Sequence, residues 1–322
     1  MSIAVVGAGR MGEGIALTFL GAGHPVLLAD VKDRTEDERE ARREEVRARL
    51  ADRLRATFGH AGALEKLTLG DRSAKELADA TVVFEAVPEV MDVKREVFGW
   101  LGDQVSETAV LASTTSTFLV TQVAELATHP ERVVNAHWLN PAELMPLVEV
   151  SRSDDTDPAA VETLTGLLRE IGKVPVVCGP AAGYIVPRLQ ALLMNEAARM
   201  VEEGVAEAAD IDLAVRAGLG PRFSVLGPLE FIDWGGGDIL YYASRYLSGE
   251  LGERFQAPEI VERNMTEHRR GLQDGAGFYR FDPAGVPGYR AARMQEFEEI
   301  FKLREPHLHD GTPIPVRDDS TE

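Results

Sequence analysis

The first 30 residues carry the pattern that most limits what this chain can fold into. A short apolar run at residues 2–6 leads into the glycine-rich turn GAGRMG at residues 7–12, and apolar residues at helical spacing follow it. Two glycines end that helix, and a second aliphatic run at residues 26–29 ends on Asp30. The order of strand, glycine turn, helix and strand is typical of the first part of a doubly wound parallel sheet.

Each glycine of the turn has its own physical task in binding a pyrophosphate. Gly7 allows the tight turn, Gly9 lets the backbone approach the phosphates, and Gly12 lets the helix pack closely on the strand. The helix that begins here also directs unpaired N–H groups and a partial positive charge toward the ligand. An ordinary connection between strand and helix is the alternative. The predicted cofactor-binding residues of this region are Gly7, Gly9, Arg10, Met11, Gly12 and Asp30.

Asp30 decides which dinucleotide the sequence favours. It ends the second strand, eighteen residues after Gly12, where an acid can accept hydrogen bonds from the free ribose diol of NAD. A carboxylate repels the 2′-phosphate of NADP, so NAD is the predicted cofactor. Lys32 and Arg34 are close in sequence and keep NADP as the alternative.

Composition limits the partners that the chain can bind. The 322 residues include 53 acids and 34 lysines and arginines, which gives a net charge of −19. Nucleic acids and anionic membrane surfaces would be repelled at long range, so we expect neither as a partner. No leader and no metal site is predicted. No membrane-spanning segment is predicted either, because glycines and Pro25 interrupt the apolar stretch 14–29. The single cysteine, Cys178, excludes an internal disulfide, suits the cytoplasm and is interpreted as a small core residue.

Strand and helix patterns alternate through the first 180 residues and then give way to helices alone. The further predicted strands are 81–87, 110–112, 132–136, 147–150 and 174–178. They indicate an α/β fold in which residues 1–180 form an N-terminal Rossmann-like domain with a mostly parallel sheet. Residues 181–322 are predicted to form an all-α C-terminal domain with a loose end from Glu305. Its predicted helices are 184–201, 210–217, 226–234, 238–247, 258–268 and 289–303.

A highly charged segment, residues 32–55, follows the first two strands. Beneath its charges an apolar residue recurs every four positions, at Val46, Leu50, Leu54 and Phe58, which predicts an amphipathic helix. We interpret it as a solvated helix that packs on the domain by this stripe. The alternative is an arm whose arginines bind an anionic part of the substrate.

A histidine and an acid follow in neighbouring strands of the prediction. His137 ends one strand, and Glu149 lies in the next, twelve residues later. Antiparallel or adjacent placement of these strands would bring the two side chains together at the ligand crevice. An imidazole can take a hydroxyl proton near neutral pH, and a carboxylate partner fixes its tautomer. The pair is a candidate general base, and a structural histidine is the alternative.

Six motifs resemble the L-3-hydroxyacyl-CoA dehydrogenase family, in order and at the family's relative spacing. They are GAGRMG (7–12), EAVPE (85–89) with Lys94, STTS (113–116), HWLNP (137–141), LVEV (147–150) and GAGFY (275–279). The resemblance, over residues 1–281, implies a Rossmann-like domain followed by a helical dimerisation domain, with NAD and substrate in the cleft between them. It implies an enzyme that interconverts a 3-hydroxyacyl-CoA and its 3-oxo form by hydride transfer.

The resemblance also implies roles for individual residues of the site. His137 would be the general base and Glu149 its partner. Ser116 would hydrogen-bond the substrate oxygen, and Asn140 would help to hold the site. These four residues are the predicted catalytic set.

The resemblance also implies roles for two residues near the catalytic set, and the sequence differs from the family's usual pattern at two positions. Glu89 and Lys94 would lie near the nicotinamide-side ribose of the cofactor, and a helix-terminal acid and a surface lysine are the alternatives. The family's helical domain usually opens with PGFxxNR, whose Asn contacts substrate, whereas this chain has AGYIVPR with Pro187 in that place. The lysine that often precedes the last motif is Gln273 here.

The stretch GLGPRFSVLGP, residues 218–228, bears on the substrate. It looks more like relatives that act on free hydroxy acids, such as gulonate dehydrogenase, lambda-crystallin and carnitine dehydrogenase. Arg222 could form a bidentate pair with a substrate carboxylate, and a structural salt bridge is the alternative. A free polar hydroxy acid or a carrier-bound ketone is therefore the alternative substrate. A catalytically weak NAD-binding protein, similar to lambda-crystallin, is the alternative of another class.

Overall fold

The computed structural model describes residues 2–308, apart from the side chains of residues 306–308. Its contacts divide the chain into two compact units, Met1–Leu193 and Met194–Glu322, which we call the sheet unit and the helical unit. Each is described by itself, within the described residues. The predicted domain boundary after residue 180 stays a prediction.

An eight-stranded sheet forms the sheet unit. Its strands are β1 (Ile3–Val6), β2 (Val26–Ala29), β3 (Leu67–Gly70), β4 (Val82–Glu85), β5 (Val110–Ser113), β6 (Val133–Trp138), β7 (Leu147–Ser151) and β8 (Val174–Cys178). Their order in the sheet is β3-β2-β1-β4-β5-β6-β7-β8. All neighbouring strands are parallel except β6 and β7, which are antiparallel. The predicted mostly parallel, Rossmann-like sheet is thereby confirmed.

Five helices follow strands of the sheet, and seven more complete the described chain. The first five are α1 (Arg10–Gly21), α2 (Glu36–Phe58), α3 (Met91–Gln104), α4 (Val120–Ala124) and α5 (Pro158–Glu170). The others are α6 (Val186–Glu202), α7 (Ala208–Ala214), α8 (Gly220–Val225), α9 (Pro228–Gly235), α10 (Gly237–Leu251), α11 (Glu259–Thr266) and α12 (Val286–Leu308). Helix α6 begins in the sheet unit and ends in the helical unit. An all-α second part is confirmed.

Two apolar clusters cover the two faces of the sheet, as the alternation of side chains along a strand requires. Ile3 and Val5 of β1 belong to one cluster, and Ala4 and Val6 belong to the other. The α2 stripe packs on the first face, while α3 packs on the second. Burying each large aliphatic or aromatic side chain stabilises the fold by about 1.5–3 kcal/mol. The carboxyl ends of the strands are thus held by a core on both sides.

Helix α2 packs on the sheet unit by its apolar stripe. Leu50 and Leu54 are completely buried, and a capping box between Thr35 and Glu38 begins the helix. Three of its arginines surround the buried carboxylate of Glu13 on α1. They are Arg42, Arg49 and Arg53. These contacts favour the interpretation of α2 as a packed helix over that of an arm for an anionic substrate.

The structure corrects the prediction at several elements. Strand β3 pairs with β2 and was not predicted, because it has only four residues and only Leu67 among them is buried. Helix α8 was also not predicted. Helix α12 continues to residue 308, so the predicted loose end is wrong for residues 305–308, and residues 309–322 lie outside the described residues. Within the described chain, we find no helix with the length and apolar character needed to span a membrane.

Candidate active site

The glycine turn between β1 and α1 has the sterics that the sequence pattern predicts. Gly7 has a φ of +113°, and a Cβ placed on it would lie 2.5 Å from the carbonyl oxygen of Ala86. A Cβ on Gly12 would clash with the carbonyl oxygen of Gly7. In front of Gly9, by contrast, no atom lies within 4 Å of such a Cβ. The first N–H groups of α1 therefore emerge beside open space.

A cleft of about 560 Å³ opens on this turn, and Asp30 lies in its wall. The Oδ1 atom of Asp30 accepts a hydrogen bond from the backbone N–H of Lys32 at 3.2 Å, and Oδ2 accepts one from Nε of Arg34 at 2.9 Å. Each carboxylate oxygen keeps a second lone pair for a ribose hydroxyl. An open space at a helix N-terminus and a carboxylate at the end of β2 fit NAD. Arg10 and Met11 also line this cleft.

His137 and Glu149 meet across the single antiparallel pair of strands. Antiparallel β6 and β7 place the two residues directly opposite each other. Nδ1 of His137 lies 2.8 Å from Oε2 of Glu149, and the side chains are 9% and 0% exposed. Of the two arrangements that the sequence left open, the structure has the antiparallel one.

The other oxygen of Glu149 is held by the beginning of α6. Its Oε1 accepts hydrogen bonds from the backbone N–H groups of Ile185 and Val186, both at 2.8 Å. Pro187 follows in the first helical turn, where its missing N–H leaves no donor unpaired. A carboxylate can only accept hydrogen bonds, so the contact with Glu149 assigns the ring proton of His137 to Nδ1. No hydrogen bond to Nε2 of His137 is found among the described residues.

The loop that carries Ser116 is built on the carboxylate of Glu89. Oε1 of Glu89 accepts hydrogen bonds from the backbone N–H groups of Ser116 and Thr117, at 3.1 and 3.0 Å, and from the hydroxyls of Thr115 and Thr117. Burial by itself raises the pKa of Glu89, but these hydroxyls and the ammonium of Lys94 together lower it. Ser116 itself is exposed at the surface of this loop. Glu89 thus fixes the backbone on either side of the predicted substrate-binding serine.

Lys94 lies beneath this loop and has no exposed surface. Its Nζ is 3.0 and 2.9 Å from the two carboxylate oxygens of Glu85 and 3.3 Å from Oε2 of Glu89. Ser113 also donates to Glu85, at 2.6 Å. The surface-lysine alternative is therefore wrong. Lys94 therefore supports Glu85 and Glu89, and its predicted position near the nicotinamide-side ribose stays a prediction.

The remaining candidate residues lie apart from these contacts. Asn140 is exposed on the turn after β6, three residues beyond His137. In the helical unit, Arg222 is exposed with its guanidinium 5.6 Å from the centre of the Phe231 ring. None of the ion pairs among the described residues includes Arg222, so the alternative that Arg222 forms a structural salt bridge is not observed there. Gln273 donates to Asp238 at 3.2 Å.

Two residues outside the predicted catalytic set, Cys178 and Tyr184, lie in the sheet unit. Cys178 is half-buried and belongs to neither apolar cluster, so its interpretation as a core residue is wrong. Burial raises the pKa of its thiol, which disfavours a role as a nucleophile. Tyr184 was not identified from the sequence, although its ring stacks on the imidazole of His137. The available signal was the sequence AGYIVPR, in which Tyr184 stands where the family's PGFxxNR has phenylalanine.

Comparisons with known proteins show the family to which the chain belongs. Residues 2–181 match the family model described as 3-hydroxyacyl-CoA dehydrogenase, NAD binding domain, and residues 183–281 match the C-terminal domain of the same family. The crystal structure of a 3-hydroxyacyl-CoA dehydrogenase from Archaeoglobus fulgidus superposes with a TM-score of 0.76 and 33% identity, over 95% of this chain and 99% of that one.

Two sequence relatives differ in how much of their length this chain covers. A 5-formyl-3-hydroxy-2-methylpyridine 4-carboxylate 5-dehydrogenase of Mesorhizobium japonicum is 29% identical over 94% of this chain and 98% of its own length. The fatty acid oxidation complex subunit alpha of Shewanella amazonensis is 34% identical over 88% of this chain. The chain spans only 40% of that subunit.

Proposed function

Because the chain belongs to the 3-hydroxyacyl-CoA dehydrogenase family of NAD-dependent oxidoreductases acting on CH–OH groups, we propose that it interconverts a 3-hydroxyacyl-CoA, such as 3-hydroxybutyryl-CoA, and its 3-oxo form. The observation that carries this proposal is the buried 2.8 Å contact between His137 and Glu149. When bound, NAD supplies the acceptor for the hydride of the carbinol carbon, or the donor in the reverse direction.

In this proposal His137 moves the hydroxyl proton. With the proton on Nδ1 held toward Glu149, Nε2 of the neutral imidazole takes the proton of the substrate hydroxyl. Glu149 then stabilises the imidazolium that forms, and the N-terminus of α6 holds Glu149 in place. Ser116 hydrogen-bonds the substrate oxygen, and Asn140 helps to hold the site. The glycine turn and Asp30 bind the cofactor.

A free hydroxy acid is the second candidate substrate. The observation that favours it is the exposed guanidinium of Arg222, which has no acidic partner among the described residues and so can bind a carboxylate. The Mesorhizobium relative, which matches the chain almost from end to end, is named for a pyridine carboxylate. A catalytically weak NAD-binding protein is disfavoured, because it has no need of the buried pair of His137 and Glu149.

Substrate panels test the choice between these classes. We expect NADH formation with 3-hydroxybutyryl-CoA to exceed that with gulonate and carnitine at equal concentrations. Turnover of a hydroxy acid without turnover of any thioester would overturn the CoA assignment. Tight NAD binding without turnover of any member would favour the non-catalytic alternative.

The role of His137 is tested with a matched histidine. His137→Gln is expected to lower kcat by about 10²–10⁴-fold, because a positioned general base contributes that much, while NAD affinity is unchanged. His129 also contacts a glutamate, Glu131, through Nδ1 at 3.1 Å, but at the surface. His129→Gln should leave kcat within about twofold of the wild type. A near-normal kcat for His137→Gln would disprove the base assignment.

We also infer that the helical unit forms a homodimer. On α10, Ile239, Tyr242 and Tyr246 are spaced three and four residues apart and are 64%, 60% and 68% exposed. This spacing places them on one face of the helix, and contiguous exposed apolar faces are typical of protein interfaces. The dimerisation domain that the family resemblance implies makes a second copy of the chain the proposed partner.

A further inference from the structure

Tyr184 has a backbone conformation that its surroundings must hold. It lies between β8 and α6 with a φ of +46°, in the left-handed region, directly after Gly183 with a φ of +77°. An aromatic residue adopts this region only at a cost in free energy, and such outliers cluster at functional sites. The backbone N–H of Arg188 donates to the carbonyl of Gly183 at 2.9 Å and closes the turn. The conformation directs a buried side chain, 6% exposed, into the site.

The ring of Tyr184 fixes the plane of the imidazole. The ring centroids of Tyr184 and His137 are 4.8 Å apart, and the rings are inclined by only 11°. The next two residues, Ile185 and Val186, hold the carboxylate of Glu149 with their N–H groups. One short segment therefore contacts both members of the proposed proton-transfer pair, the ring on the face of the imidazole and the backbone on the carboxylate.

The hydroxyl of Tyr184 reaches the loop that carries Ser116. It donates to the carbonyl oxygen of Thr115 at 2.8 Å and accepts from Nδ2 of Asn135 at 3.0 Å. Burial raises the pKa of Tyr184, so the hydroxyl keeps its proton for this bond throughout the ordinary pH range. Asn135 also donates to the carbonyl of Phe118, on the far side of the same loop. The hydroxyl thus joins the Ser116 loop to β6.

We propose that Tyr184 is a positioning residue that holds the imidazole of His137 and the Ser116 loop in one fixed arrangement. The phenylalanine that the family usually has in this place can supply the stacked ring but not the link to Thr115. The inference rests on the proposed function of His137 and Ser116, and it adds a residue that touches neither substrate nor cofactor. Its effect should therefore fall on kcat rather than on KM.

The hydroxyl is tested by Tyr184→Phe alone and together with Ser116→Ala. Tyr184→Phe keeps the stack and removes two hydrogen bonds, so we expect kcat to fall about tenfold while KM for substrate and NAD changes less than about twofold. If the hydroxyl acts through Ser116, the same change should cost almost nothing in the Ser116→Ala background.

A tyrosine of the helical unit supplies the control. Tyr289 also donates its hydroxyl, to Glu230 at 2.7 Å, and Tyr289→Phe should leave kcat unchanged. Equal kcat values for Tyr184→Phe and Tyr289→Phe would overturn the proposal. So would additive effects of Tyr184→Phe and Ser116→Ala, because they would show that the hydroxyl does not act through the serine loop.

The ring is tested without turnover, by NMR of protein with ¹³C-labelled histidine. The chain has seven histidines, and the signal of His137 is identified as the one that His137→Gln removes. Tyr184 stacked on the imidazole should shift this signal upfield, Tyr184→Phe should retain the shift, and Tyr184→Leu should abolish it. An unchanged signal in Tyr184→Leu would overturn the stacking. Because this measurement needs no substrate, its failure is distinct from a failure of the proposed reaction, which His137→Gln tests.

Discussion

The sheet unit and the helical unit bury their side chains in different ways. In the sheet unit, two apolar clusters cover the sheet, and charged groups are buried in pairs such as Lys94 with Glu85. In the described part of the helical unit, the buried hydrophobic residues are only Ile211, Leu226, Ala257, Val261, Leu272 and Phe297. Many large hydrophobic residues are exposed there, among them Met194, Val201, Val205, Leu213, Phe223, Leu229, Ile239, Tyr242 and Tyr246.

This difference indicates two sources of stability, which are contacts within one chain in the sheet unit and burial by a second copy of the chain in the helical unit. The hydrogen bonds that hold His137 and the Ser116 loop lie within the sheet unit, so the positions of these two residues depend on contacts within one chain. The helical unit leaves apolar surface in water, which a second copy can cover at a gain of about 25 cal/mol per Å². Substitutions in the first unit should therefore act independently of protein concentration. Substitutions on the exposed face of the second should act through assembly.

Lys94→Met is the substitution in the sheet unit with the largest expected effect on stability. It leaves the carboxylate of Glu85 buried without its ammonium partner, and breaking such a pair on one side typically costs about 3–5 kcal/mol. We expect this loss in the free energy of unfolding, measured by urea denaturation, at every protein concentration used. The double variant Glu85→Gln with Lys94→Met should recover part of it, because position 85 then carries no buried unpaired charge.

An exposed lysine of the same unit gives the comparison. Lys66 donates to the carbonyl of Gly23 at the surface, at 2.6 Å, and Lys66→Met should change the free energy of unfolding by less than about 0.5 kcal/mol. If Lys94→Met were as mild as Lys66→Met, the buried pair would not stabilise the sheet unit as its geometry implies.

Ile239→Asp tests the exposed face of the helical unit. A charge in the centre of an apolar interface opposes association, so sedimentation should give the mass of one 35.1 kDa chain where the wild type gives about twice that value. The urea midpoint of the wild type should rise with protein concentration, and that of the variant should not. Ser248→Asp introduces the same charge nine residues later on α10, on the opposite side of the helix, and should leave the dimer intact.

A monomeric wild type would contradict the statement that the helical unit, unlike the sheet unit, is stabilised by assembly. The exposed residues of α10 would then need another partner, and the inferred homodimer would be wrong. Dissociation by both Ile239→Asp and Ser248→Asp would place the contact elsewhere than on the Ile239 face.

Local patterns carried most of the fold prediction. The first β-α-β unit was predictable because its two apolar runs, its glycine turn and the terminal Asp30 all lie within 30 residues of sequence. Strand β3 was missed because it is short and buries only Leu67. From the sequence, the strands of His137 and Glu149 could be antiparallel or merely adjacent. The turn between β6 and β7 decides the direction of the second strand, and the structure shows an antiparallel pair.

Residues that depend on several distant segments were beyond such patterns. Lys94 is buried because β4, β5 and α3 bring Glu85, Ser113 and the lysine together, and nothing in its neighbours in sequence distinguishes it from a surface lysine. Tyr184 lies 47 residues from His137, and its position depends on the left-handed turn before α6. The sequence thus indicated the candidate catalytic residues more readily than the residues that hold them in place.

The smallest predicted effect concerns Glu89 and acid. Its folded pKa lies below the ordinary value of 4.5, so the stabilisation that it contributes is fully present above about pH 4.5 and is lost as the pH falls through the folded value. Its side chain is 34% exposed, so we expect a contribution of at most about 1 kcal/mol after screening by solvent. Glu89→Gln should be less stable than the wild type at pH 7 and should lose less stability between pH 5 and pH 3.

Urea denaturation across this pH range measures the difference, with the exposed Glu76→Gln as the control. Glu76→Gln should follow the pH dependence of the wild type. Because Glu89 bonds only within the sheet unit, its acid effect should be the same at low and high protein concentration. An acid effect that grew on dilution would mean that the Ser116 loop depends on dimer formation. The stability of the sheet unit around Ser116 would then not be independent of assembly.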